Sequence, residues 1–259
     1  MSESAAAIAA LKRQIASLEG RKAARLEDLF SFGAEAVDAR LGGGLAYGRV
    51  HEIFAADAED GSNAAGFALM LAMRAASGAT PILWLRPRMA EAGGGQLYAP
   101  GLIELGLDPA RLILAIAPDE AALLKAAGDS LRCVGLGAVV IELGRDTRGI
   151  DLTVSRRLAL AAEQSGIAAL LLRADGKPLP SAAQTRWRVA ASASAALAAN
   201  APGGPAFNIE LLRHRGGPDG LGWRVEWDRD QCSFREAPLP GVILPIPAGR
   251  PTAAGARAA

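Results

Sequence analysis

Chemistry is first suggested by a short stretch of acids and small residues. Asp57, Glu59, Asp60, Gly61 and Ser62 lie in "AADAEDGSNAAG". The stretch follows a short apolar run, Val50–Phe54, and leads into a helical pattern from about Ala64 to Ser77, which Asp57, Asp60 or Ser62 could cap. A strand, a small-residue turn and a helix are the parts that hold a phosphate. Backbone N–H groups at a helix start bind the anion, a lysine neutralises it and a hydroxyl ligates Mg²⁺. The spacing G-x-x-x-x-G-K-[ST] is not met. No lysine stands between Lys22 and Lys125, and no arginine between Arg49 and Arg74. The acids oppose the chemistry further: a carboxylate roughly 6 Å from a phosphate charge costs about 2–3 kcal/mol at an effective dielectric near 20. The turn therefore reads as a phosphate loop that has lost its cationic anchor.

A second element is "AVVIE", four apolar residues closed by Glu142. An acid at that place ligates Mg²⁺ in nucleotide-hydrolysing enzymes, although aspartate is usual there, and many buried strands simply end on an acid. Both readings stay open. His51 falls inside the first strand and reads as a packed or edge residue. The other histidine, His214, and the two cysteines, Cys133 and Cys232, have no metal-ligand or nucleophile spacing around them. No cofactor or metal is expected.

The elements that must position these residues come from periodicity. Apolar runs at Pro81–Leu85, Leu112–Ala115, Ala138–Leu143 and "IAALLLRADG" alternate with helical patterns in "PDEAALLKAAGDSLRCVG" and "DLTVSRRLALAAEQSG". Asp151 is a plausible cap for the second of these helices and Gly166 its stop. Continuous apolar runs between helices predict a mostly parallel sheet covered on both faces. Gly93-Gly94-Gly95 reads as a flexible loop. Later stretches, "RWRVAASAS", "FNIELLRHR" and "GWRVEWD", alternate apolar and polar and predict antiparallel strands. The predicted organisation is an N-terminal helix and linker at 1–31, a core domain at 32–235 and a Pro/Ala-rich flexible tail at 236–259. Ile8, Leu11, Ile15 and Leu18 form a narrow stripe that docks on the chain's own domain or on a partner.

Composition sets the outer limits. The chain has 259 residues with 51% hydrophobic and 21% charged, enough for one α/β domain with tails, and a net charge of +1 that points to no polyanion. No signal-peptide pattern and no 18-residue apolar run occur, so the expectation is a cytoplasmic protein.

Beyond single motifs, the order of segments resembles the RecA recombinases. "LGGGLAYGRVHEIF" is similar to the lead into their phosphate-loop strand. "YAPGLIELGLDPARLILAIAPDEAALLKAAGDSLRCVGLGAVVIEL" resembles the stretch up to their Mg²⁺-binding strand, and "RRLALAAEQSGIAALLLRADG" the helix and strand that follow. Within that superfamily "HEIF", "LWLRPR", "YAPGL" and "RWRVAAS" resemble the ImuA family, from about Phe32 to Phe234, and the degenerate core is also similar to SulA. The resemblance implies a RecA-like P-loop NTPase core, extended by C-terminal antiparallel strands. It implies an accessory role in SOS-induced, error-prone translesion DNA synthesis. Partners would be an ImuB-type polymerase-like adaptor, an error-prone C-family polymerase and RecA.

The resemblance also locates departures. The lysine and threonine of the phosphate loop fall near Gly61 and Ser62, the Mg²⁺ acid on Glu142, and RecA's catalytic glutamate near Arg86. A pseudo-ATPase is therefore expected. The alternatives are a DNA-dependent ATPase with an atypical loop and a SulA-like division inhibitor. Arg213, Arg215 and Arg224 could touch DNA or belong to a solvated hairpin.

Overall fold

A computed structural model describes residues 28–76, 78–144, 150–174, 178–195, 201 and 203–237, with backbone alone for 92–94. The Ile8, Leu11, Ile15 and Leu18 stripe and the tail beyond Ala237 lie outside the described residues. The described residues begin with β1 (Leu29–Phe30), α1 (Glu35–Leu41) and β2 (Leu45–Ala46), and continue through β3 (Val50–Ala55), α2 (Gly61–Ala75) and β4 (Ile82–Pro87). Next come α3 (Arg88–Gly94), α4 (Ala99–Glu104), β5 (Leu112–Ala117), α5 (Glu120–Ser130), β6 (Ala138–Leu143), α6 (Leu152–Ser165) and β7 (Ala168–Arg173). The last strands among the described residues are β8 (Thr185–Ala191), β9 (Ala206–His214), β10 (Leu221–Asp228) and β11 (Ser233–Glu236).

The apolar runs form one nine-stranded sheet, ordered β11-β10-β9-β8-β3-β7-β6-β4-β5. From β8 to β5 all neighbours run parallel. Runs such as "AVVIEL" and "AALLLR" leave no polar face for water, so those strands must be covered on both sides. On one side α2 packs against a core that holds Phe32, Phe67, Trp187, Phe207 and Phe234. Phe67 and Phe234 lie 5.2 Å apart between ring centroids, and Phe32 and Trp187 5.3 Å. On the other side α5 and α6 contribute Leu123 and Leu158 to a core with Val139, Ile141 and Leu171. The caps of those helices follow from sequence. The carboxylates of Asp119 and Asp151 accept from the N–H groups of Ala122 and Val154, and Gly166 ends α6 at φ +76°.

Several expectations need correction. β8 is antiparallel only to β9; its other side pairs parallel with β3, so it closes the parallel half of the sheet. Arg88–Gly94 is a helix, not a flexible loop, and Gly95 ends it at φ +75°. α2 starts at Gly61, three residues before the apolar pattern begins, and no side chain of Asp57, Asp60 or Ser62 caps it. Glu236 belongs to β11, and its carboxylate accepts from the Ala36 N–H at 3.0 Å. β11 brings Phe234 into the core, and the Phe234 N–H donates to the Phe32 carbonyl at 2.9 Å. Among the described residues no helix is long and apolar enough to cross a membrane.

Candidate functional site

The C-terminal ends of β3, β4, β6 and β7 lie side by side, the end of an open parallel sheet where ligands usually bind. After β3 the chain does not open into a phosphate-wrapping loop. Ala58–Asp60 forms a single 3-10 turn that runs directly into α2. The Asp60 N–H is used by the Asp57 carbonyl at 3.0 Å. Gly61 is helical at φ −54°, and a Cβ there would meet the Ala174 Cβ at an ordinary 3.6 Å. Neither conformation nor space requires glycine, unlike a turn that must approach a phosphate closely. Asp57, Glu59 and Ser62 face solvent. Asp60 is tied down: its carboxylate accepts from the Ala191 N–H at 2.8 Å and from the Asn63 amide at 3.1 Å. One loop acid therefore joins the start of α2 to the end of β8.

Glu142 and Arg86 meet. Strand alternation puts Trp84 and Arg86 of β4 on the same face as Glu142 of β6, beneath α2. The Glu142 carboxylate accepts from the Trp84 indole N–H at 2.8 Å and from Arg86 Nη2 at 3.3 Å. Arg86 Nε stands 3.2 Å from the same carboxylate, an ion-pair contact without hydrogen-bond geometry. Arg86 Nη1 donates to the Gly95 carbonyl at 3.0 Å, so the guanidinium also pins the end of α3. Arg86 is only 4% exposed. The positions that resemble a metal-holding acid and a water-orienting glutamate thus form a buried ion pair. A bound Mg²⁺ at Glu142 would have to displace a guanidinium from an oxygen that it already neutralises.

Sequence reasoning missed further buried charges. Glu52, fully buried in β3, receives Arg186 Nε of β8 at 2.7 Å, while its second oxygen has no hydrogen-bond partner. The signal was present as an acid inside the strand "VHEIF". Arg173 ends β7 at 6% exposure, with its guanidinium 5.6 Å above the Phe54 ring and Nη1 unpartnered. His51 is packed, as its place in a strand suggested. Its Nδ1 and Nε2 lie 2.9 Å from the Thr185 hydroxyl and 3.0 Å from the Ala46 carbonyl. Burial is the main cause that lowers its pKa from 6.5 to about 4, so it is a neutral core group at pH 7. Among the described residues no group of three His, Cys, Asp or Glu side chains could hold a metal ion.

A parallel sheet with α2 on one face, α5 and α6 on the other, and an antiparallel extension defines a RecA-like core. The RadB recombinase crystal structure shares this fold at a TM-score of 0.56 and 18% sequence identity, covering 81% of this chain and all of that one. No family model matches the chain. The curated Protein ImuA of Caulobacter vibrioides, in strains NA1000 / CB15N and ATCC 19089 / CIP 103742 / CB 15, is 36% identical over 214 residues. That match covers 76% of this chain and 83% of the relative, and the chain belongs to the ImuA family.

Proposed function

We propose that this chain is a non-catalytic accessory protein of an SOS-inducible, error-prone translesion synthesis complex. It acts by binding an ImuB-type adaptor, an error-prone C-family polymerase and RecA. Family membership and the RecA-like fold support the accessory role. The observation that carries the non-catalytic reading is the Arg86–Glu142 pair. Hydrolysis in this fold needs a free acid for Mg²⁺ and a carboxylate to orient water. Here one is neutralised and the other is a cation. The turn before α2 adds no lysine and spends the Asp60 N–H on the Asp57 carbonyl. A fold that keeps its cores while its nucleotide end is built as a structural joint serves by its surfaces.

The test is co-expression with the adaptor and the polymerase, followed by affinity capture of this chain. Both partners are expected to co-purify without added nucleotide. Failure to capture either, together with DNA-stimulated ATP turnover by the isolated chain, supports instead the DNA-dependent ATPase.

A further inference from the structure

A concentration of positive charge lies away from the Arg86–Glu142 pair, where β8 starts and β9 ends. Arg186 and Arg213 are direct cross-strand partners. Like charges placed so cost a sheet stability unless something compensates them. Glu52 compensates Arg186 alone, at 2.7 Å. The other end of Arg186 donates to the Ser181 hydroxyl at 2.8 Å and to the Leu179 carbonyl. Arg215, just beyond β9, donates to the Ser181 carbonyl at 3.0 Å, so two guanidiniums converge on one serine. The neighbouring Ala182 N–H donates to Ser155 of α6 at 2.7 Å, which brings the exposed Arg156 to the same segment. After burial, the fields of Arg213, Arg186 and Arg156 in turn lower the pKa of Arg215. Among the described residues Arg156, Arg213 and Arg215 have no carboxylate at ion-pair distance.

Apolar side chains flank these cations. Leu152 and Leu160 of α6 are 37% and 57% exposed, and Leu179 is 50% exposed. Leu152, Arg156 and Leu160 recur every fourth residue and share one stripe of the helix. Leu179 belongs to the segment that Arg186 holds beside that helix.

We propose that the Leu152–Arg156–Leu160 stripe, Leu179 and the pair Arg213 and Arg215 bind an acidic partner segment that carries leucine-type side chains among its carboxylates. Charge complementarity selects an anion, and the leucines select which anion. A phosphate backbone gains nothing from them and is desolvated against them, and single-stranded nucleic acid is usually held on aromatic platforms. A peptide with both carboxylates and apolar side chains satisfies the two halves together. The inference gives the partner contact of the proposed function a place and a chemistry, and rests on that reading only in taking the partner to be a protein.

The test uses the full chain and fluorescence anisotropy with a labelled synthetic peptide of repeated Glu-Glu-Leu-Leu. A Lys-Lys-Leu-Leu peptide and single- and double-stranded oligonucleotides are run beside it. The acidic peptide is expected to bind, more weakly as salt rises, and the basic peptide not at all. Arg156→Glu combined with Arg213→Glu, whose side chains make no hydrogen bond or ion pair among the described residues, should weaken binding by about tenfold, as an exposed and a half-buried attraction become repulsions. Leu160→Ser should weaken it about threefold, as expected for one partly buried apolar contact. Absence of peptide binding, or equal affinity in the charge-reversed variant, overturns the proposal. So do oligonucleotides that bind more tightly than the peptide and are insensitive to Leu160→Ser, an outcome that marks a nucleic-acid surface. Loss of adaptor capture with peptide binding intact would count against the proposed function and leave this surface standing.

Discussion

Replacing Arg86 by methionine keeps most of the side-chain volume and removes the charge. Glu142 then retains one strong donor, the Trp84 indole at 2.8 Å, and the Gly95 carbonyl loses Arg86 Nη1. Removing one partner of a buried pair costs about 3–5 kcal/mol, because the remaining charge stays desolvated. The Glu142 side chain is 13% exposed and can recruit some water. That places the loss near the lower bound, about 3 kcal/mol. At roughly 2–4 °C per kcal/mol for a domain of this size, Tm should fall by about 6–12 °C. Urea unfolding followed by tryptophan fluorescence measures the same change at equilibrium. Adding Glu142→Leu to Arg86→Met should recover most of it, to within about 1 kcal/mol of the parent, since two apolar side chains can replace a buried ion pair. The reasoning fails if Arg86→Met alone lies within about 1 kcal/mol of the parent, or if the double variant is no more stable than the single one.

Other outcomes follow from the same geometry. His51 has a folded pKa of about 4 against 6.5, so the unfolded chain binds the proton more tightly; its stabilisation is complete above pH 6.5 and is lost as pH falls towards 4. The loss should approach about 3 kcal/mol, and His51→Gln should flatten that part of the pH–stability curve measured by urea titration. Asp60→Ala frees the Ala191 N–H from its carboxylate partner and should cost about 1–2 kcal/mol, with faster hydrogen exchange at Ala191. Gly137→Ala would set a Cβ 2.5 Å from both the Ala76 Cβ and the Thr80 hydroxyl oxygen, and should lower stability by about 1–3 kcal/mol in thermal melts.

Much of the core was legible because local signals agreed with packing. β6 fell where "AVVIEL" stands, and α6 ran between Asp151 and Gly166, since cap, period and stop coincide there. The start of α2 was not legible. Its first turn, Gly61–Ala64, has the composition of a loop, and Asp60 is held by Ala191, which lies 131 residues away in sequence. Glycines hid the helix at Arg88–Gly94, whose end is held by Arg86 and not by local propensity. The parallel pairing of β8 with β3 was equally hidden, since alternation in a strand does not reveal the direction of its neighbours. For the candidate site, sequence marked Arg86 and Glu142 as two separate departures. Only the shared face of β4 and β6 shows that each residue neutralises the other across 56 positions. Glu52 and Arg186 escaped notice because each sits in a strand whose pattern is otherwise apolar or alternating.

The most direct test of the central claim is calorimetric titration of the purified chain with MgATP, with phosphate release followed in parallel with and without single-stranded DNA. A nucleotide end held shut by Arg86 and Glu142 should give no saturable heat and no release above the protein-free rate. Saturable binding with steady turnover that collapses in Glu142→Gln would contradict it, because that carboxylate would then be serving a metal ion and not a guanidinium.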